Sequence, residues 1–139
     1  MIVLKTNARS ESEMMNRTSI GAMAVATSLA SAAMAETAPA WMEPAFGNTI
    51  VTTYPTGKVT RMWLDRDGKY ELLRSTGKRN GGRWTVKGDK VCFRQTRPVS
   101  IPFTFCQARL TGGIGTRWTG KSPAGERVTN VLVAGQEGR

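Results

Sequence analysis

Histidine is missing from this sequence of 139 residues. With it go the commonest general base and the commonest imidazole metal ligand. Cysteine occurs only twice, at Cys92 and Cys106, far from C-x-x-C spacing. That spacing excludes a thioredoxin-type redox pair and, without histidine, leaves a zinc site short of ligands. Carboxylates are scarce, ten against twenty basic residues. Asp65 and Asp67 share one turn while Glu71, Asp89 and Glu126 stand apart, so no acid–base pair is suggested, and nothing orients Lys121-Ser122 as a nucleophile. No run reaches the ~20 strongly apolar residues that span a bilayer. After Gly47 no segment is long or periodic enough for a helix. The absences point away from an enzyme, and no cofactor or metal is expected.

What is present begins with an address. Met15 to Ala35 reads "MNRTSIGAMAVATSLASAAMA". One positive charge, Arg17, precedes an Ala-rich run from Ile20 to about Ala32. Ala33 and Ala35 then supply the small residues at −3 and −1 that a signal peptidase pocket admits, with Glu36 first after the cut. The reading is a secretory signal peptide within 1–35, its start at Met1, Met14 or Met15, with cleavage after Ala40 as a second choice. The expected location is periplasmic or secreted. Removal takes Lys5, Arg9 and Arg17 from the twenty basic residues and Glu11 and Glu13 from the ten acidic ones. A mature chain of about 100 residues is one small domain whose core is marginal without a covalent staple. In an oxidising compartment two lone cysteines normally pair. A Cys92–Cys106 disulfide is therefore expected, with free or intermolecular thiols as the alternative.

From Gly47 onward turn signals recur about every ten residues: "YPTGK", "LDRDGK", "STGKRNGG", "VKGDK", "QTRPVSIP", "LTGGIG" and "TGKSPAGE". Between them lie segments rich in β-branched and aromatic residues: 48–54, 59–64, 69–74, 83–87, 91–94, 103–110, 116–119 and 127–133. This predicts an all-β fold of about eight short antiparallel strands. Consecutive hairpins form a meander, which closes most simply into an up-and-down barrel and so removes its own edges. The domain is read as 48–133, preceded by a Pro/Ala-rich extended arm over 36–47 and followed by a flexible tail over 134–139. Trp41 and Phe46 of the arm are candidates to plug one barrel end, and Trp63, Trp84 and Trp118 are candidates for the core. The strand "VTRMWL" is muddled, because Arg61 shares a face with Trp63, and is expected to be apolar on both faces or to contain a bulge.

The fifth and sixth strands carry the cysteines. If Cys92 opposes Cys106, then Phe93 opposes Phe105 and Arg94 opposes Thr104. Side chains alternate faces, so the phenylalanines face the core and the disulfide lies on the other side of the sheet.

Two apparent motifs dissolve on inspection. "GTRWTGKS" matches the phosphate-binding loop pattern, but Pro123 and Gly125 follow at once and no helix can present its N-terminus to a phosphate. "DRDGKYE" is too short for a calcium loop and reads as a turn.

The charge is more informative. In an up-and-down barrel alternate turns share an end. The first, third, fifth and seventh turns carry Lys58, Lys78 with Arg79, Arg97, and Lys121 with Glu126, while Arg74, Arg94 and Arg127 stand at nearby strand ends. The tripeptide "TGK" recurs at 56–58, 76–78 and 119–121, always at that end. The other end mixes Asp65, Asp67 and Asp89 with its cations. A ring of cations at one mouth raises local anion concentration. Lys58, Lys78, Arg79, Arg94, Arg97 and Lys121 are therefore candidate anion-binding residues, and the expected partner is an anionic envelope component or a protein. The export signal makes nucleic acid an unexpected partner, and no transmembrane segment is expected in the mature chain.

The stretch "NTIVTTYPTGKVTRMWLDRDGKYELL…GGRWTVKGDKVCF…PFTFC" resembles small exported proteins of Gram-negative bacteria built on a disulfide-bonded, lipocalin-like β meander. The shared features are turn glycines, core aromatics and the cysteine pair. The resemblance implies fold and export and carries no activity. A weaker resemblance is to periplasmic inhibitors of secreted metalloproteases, eight-stranded disulfide-bonded barrels whose N-terminal arm enters the protease. It implies an alternative function, protease inhibition through Glu36–Phe46.

Overall fold

Four stretches close hairpins in one way: Tyr54–Lys58, Asp65–Lys69, Arg74–Lys78 and Ser122–Glu126. In each, the first residue donates its N–H to the fifth residue's carbonyl, and the fourth donates to the first residue's carbonyl, at 2.8–3.1 Å. The fourth residue is always glycine, at φ between +85° and +88°. This is the three-residue hairpin loop that needs a left-handed residue at its exit.

The computed structural model describes residues 38–139. The expected signal peptide within 1–35 and its expected cleavage residues Ala33, Ala35 and Glu36 lie outside the described residues. The strands are β1 Thr49–Thr53, β2 Val59–Leu64, β3 Lys69–Leu73, β4 Arg79–Lys87, β5 Lys90–Arg97, β6 Phe105–Ala108, β7 Arg117–Lys121 and β8 Arg127–Val133. All ladders are antiparallel, in the order β6-β5-β4-β3-β2-β1-β8-β7. The pairing of β1 with both β2 and β8 curls the meander into a nearly closed barrel. The expected all-β meander is what forms, with one correction: no ladder joins β6 to β7. Their connection, 109–116, is too long for a tight hairpin. It drops Leu110 into the core, and Gly115 and Thr116 exchange bonds with Leu132. That draws β7 to β8 and leaves a seam on its other side.

The inner face follows the pleat. Leu64, Tyr70, Trp84, Val91, Phe93 and Leu132 are buried there, with Ile50, Met62, Leu72, Val86 and Trp118 partly buried against them. A 3₁₀ turn over Ala40–Ala45 closes one mouth, with Met42 and Ala45 fully enclosed. Trp41 and Phe46 pack beside them, and Phe46 lies 5.7 Å from the Trp84 ring. The arm is thus a plug, made chiefly by Met42 and Ala45.

The cysteine register forms as expected. Cys92 opposes Cys106 and Phe93 opposes Phe105, and the two sulfurs are bonded. Phe93 is buried in the core, whereas the disulfide lies on the outer side with Cys106 exposed. The ladder stops at Phe93–Phe105, one step short of Arg94–Thr104.

Other boundaries differ from the sequence pattern. The segment 79–82, read as part of a turn, is the start of β4. Its glycines serve a close approach: a Cβ on Gly82 would collide with the Arg94 carbonyl, and one on Gly81 with the Arg97 guanidinium. The β4–β5 register shifts between Gly81 and Gly82, which marks a bulge. The third "TGK" is not a turn either. Gly120 sits within β7, where a Cβ would press on the Asn130 amide.

Trp63 is fully buried, but on the outer face. Its strand buries an apolar side chain on each face, Trp63 outside and Leu64 inside, while Arg61 on the Trp63 face stays exposed. The cover of Trp63 is the chain end: Thr49 Oγ1 donates to the Gly135 carbonyl, and Arg79 reaches over the indole to the Gly138 carbonyl. Arg139 then pairs with Asp65 at 2.6 Å and with Glu71 at 3.3 Å. The segment 134–139, expected to be a flexible tail, is tied down along β1–β3.

Candidate functional site

The meander sends the β1–β2, β3–β4, β5–β6 and β7–β8 connections to one end of the barrel. Lys58, Lys78, Arg97 and Lys121 are all exposed there. Lys58 and Lys78 stand just after the left-handed turn glycines, so their backbone positions are fixed by the hairpins. Among the described residues, none of these four forms an ion pair. The single carboxylate in these connections is Glu126.

The remaining two candidates are placed differently. Arg79 is held by Glu71 at 2.6 Å and lies over Trp63, so it fastens the chain end. Arg94 stands on the outer wall, directly opposite Arg83, which in turn opposes Lys69. Lys87 opposes Lys90 one turn further along. Like charges facing each other across strands cost stability. The alternation of turns marks Arg94 as a candidate and passes over Arg83. The signal was available, since the "KGDK" turn brings 83 opposite 94.

The carboxylates gather elsewhere. Glu43 pairs with Arg66 at 2.7 Å at the plugged mouth, and Arg66 also stacks on Phe46. The hydrogen bond from Arg66 holds the Glu43 carboxyl below its ordinary range. Arg139 does the same for Asp65. The acid side chains are largely spent at and below the plugged mouth, leaving the opposite mouth positive. The Tyr70 hydroxyl is pushed up by burial.

The positive end also carries apolar tips. Val99 and Phe103, in the β5–β6 connection, are 68% and 61% exposed. That loop folds back on its own strand: Ile101 N–H donates to the Gln95 carbonyl, and Gln95 Nε2 donates to the Val99 carbonyl.

The described residues contain no group of three or more potential metal-ligating side chains, and no helix among them is long and apolar enough to cross a membrane. The Gly115–Ser122 stretch that resembles a phosphate loop is a loop end and β7, with no helix after it. Comparison with protein-family models, with curated proteins and with solved structures finds no match.

Proposed function

We propose that the chain is a non-catalytic exported protein of the bacterial envelope, whose basic barrel end engages anionic envelope material, lipid phosphate in particular. One observation carries the reading: four exposed cations, without ion pairs among the described residues, share one barrel end with a loop that presents Val99 and Phe103 to solvent. Cations attract an anionic surface, and apolar tips beside them add burial in its interfacial layer. The disulfide is in keeping with an oxidising compartment. The outer wall, with Arg83, Lys87, Lys90 and Arg94, does not suit a lipid-embedded barrel.

The alternative, protease inhibition through the N-terminal arm, has less support. Residues 38–46 pack into the barrel mouth and offer no projecting tip.

Flotation with vesicles tests the reading. Wild-type protein is expected to float with phosphatidylglycerol vesicles in low salt and not with phosphatidylcholine alone. Lys58→Glu with Lys78→Glu, and separately Val99→Ser with Phe103→Ser, are expected to weaken binding about tenfold. Equal binding to neutral vesicles, or undiminished binding by both variants, would sink it.

A further inference from the structure

Among the described residues no strand pairs into the seam between β6 and β7 in the wall of the barrel. Arg109 N–H donates to the Asp89 carbonyl. In an antiparallel ladder hydrogen-bonded and non-bonded pairs alternate. Gln107 and Phe105 therefore turn their main-chain groups toward β5, and Cys106 and Ala108 turn theirs into the seam. On the other side, Thr116 bonds Leu132 and Ser122 bonds Glu126. The even residues of β7 thus face β8, and Arg117, Thr119 and Lys121 present N–H and C=O to the seam.

The side chains around the seam are selective. Two adjoining grooves, of about 560 Å³ and 380 Å³, share Ala108, Trp118 and Thr119. Among the described residues their linings include Lys90, Arg109, Arg117, Lys121 and Arg127, and no carboxylate. Phe105 and Trp118 lie on the inner side of the pleat and are only partly buried.

We propose that this seam is a docking site for an extended segment of a partner protein, with alternating apolar and acidic residues, that adds along β7 as a ninth strand and parts it from β6, whose Cα atoms come within 8 Å of β7 in places. Main-chain bonds to Arg117, Thr119 and Lys121 would supply affinity. Because side chains alternate faces, one set of the incoming residues points inward beside Phe105 and Trp118, and the other points outward among the cations. The charges also choose between occupants. A second copy of β7, paired antiparallel about Thr119, sets Arg117 against Lys121 and is repelled; edge cations are a common guard against such self-pairing. An acidic strand meets the same cations as partners. The inference does not rest on the barrel-end reading, although Lys121 borders both surfaces.

The probe is a fluorescein-labelled peptide of four Val-Glu repeats, with protein expressed from the full chain and binding read by anisotropy. The acidic peptide is expected to bind and to slow amide exchange at Arg117, Thr119 and Lys121. Thr119→Pro removes an N–H that faces the seam and is not part of the β8 ladder, a position where an edge strand accepts proline. Thr119→Pro and Arg117→Glu should each weaken binding about tenfold or more. Lys58→Glu, at the barrel end, should change it less than about twofold. Where Thr119→Pro fails to fold, a peptide N-methylated on alternate amides makes the same backbone test and should bind about tenfold more weakly. Undetectable binding in low salt, equal binding of a Val-Lys repeat, or binding indifferent to both backbone substitutions overturns the proposal. The last result would mean plain charge attraction.

Discussion

Trp63 donates its indole N–H to Oγ1 of Thr49 at 2.8 Å, on the outer face of the barrel. Thr49 passes the bond on to the Gly135 carbonyl at 2.6 Å. One hydroxyl therefore satisfies a fully buried donor and fastens the chain end over it. Thr49→Val keeps the shape and removes both bonds. Leaving the indole N–H unpaired should cost about 1–3 kcal/mol, read as a lower denaturant midpoint with an unchanged slope. Thr49→Ser retains the hydroxyl and should recover most of the loss.

The same segment is held at its far end by an acid-sensitive clamp. Arg139 donates to both oxygens of Asp65, and this holds the Asp65 carboxyl below its ordinary range. A carboxylate depressed in the folded state adds stability that is present above its unfolded pKa. That stability is lost as pH falls through the folded value. The chain end should thus stay docked down to about pH 4 and loosen below it. Hydrogen exchange of the Trp63 indole N–H, followed by NMR, should quicken in that acid range. Asp65→Asn should show the quicker exchange already at neutral pH. The clamp is partly exposed, so the global effect should be small.

The Cys92–Cys106 bond spans fourteen positions of sequence. In the chain-entropy model a loop of that size is worth about 3 kcal/mol, a large share of the stability of so small a domain. Cys92→Ala with Cys106→Ala, or reduction, should lower the melting temperature by more than about 10 °C. The β5–β6 hairpin should open first, because β6 is only four residues long and its other edge is unpaired. Amides of Phe105 and Gln107 should therefore lose exchange protection before those of β2 or β8.

Much of this architecture is legible in the sequence because it is local. The hairpin glycines announce their turns, and a disulfide between neighbouring strands fixes a register that places Phe93 and Phe105 as well. What is illegible depends on contacts distant in sequence. Trp63 looks like a core residue and is buried, but its cover lies more than seventy positions away at Gly135–Arg139. The seam depends on Gly115 and Thr116 choosing Leu132, which no spacing rule reveals. The site divides in the same way. Lys58, Lys78, Arg97 and Lys121 share an end because turns alternate. That Arg79 is consumed by Glu71, or that Arg94 meets Arg83, appears only with the register in hand.

Gly81 and Gly82 show the difference most sharply and allow a direct test. Two adjacent glycines before an aromatic strand suggest a loop, yet both lie within β4 and neither has the positive φ of the turn glycines. Their requirement is space. At Gly82 the obstruction is the Arg94 backbone carbonyl, which cannot rotate away, whereas at Gly81 it is the end of the flexible Arg97 side chain. The two alanine variants should therefore part company. Gly82→Ala must push β4 and β5 apart at the bulge and should destabilise by about 1–3 kcal/mol, as overpacking does. Gly81→Ala only swings a guanidinium aside and should cost well under about 1 kcal/mol. Equilibrium unfolding of the two variants in urea checks the ordering. Equal losses would mean that the bulge, rather than the carbonyl contact, sets the need for glycine.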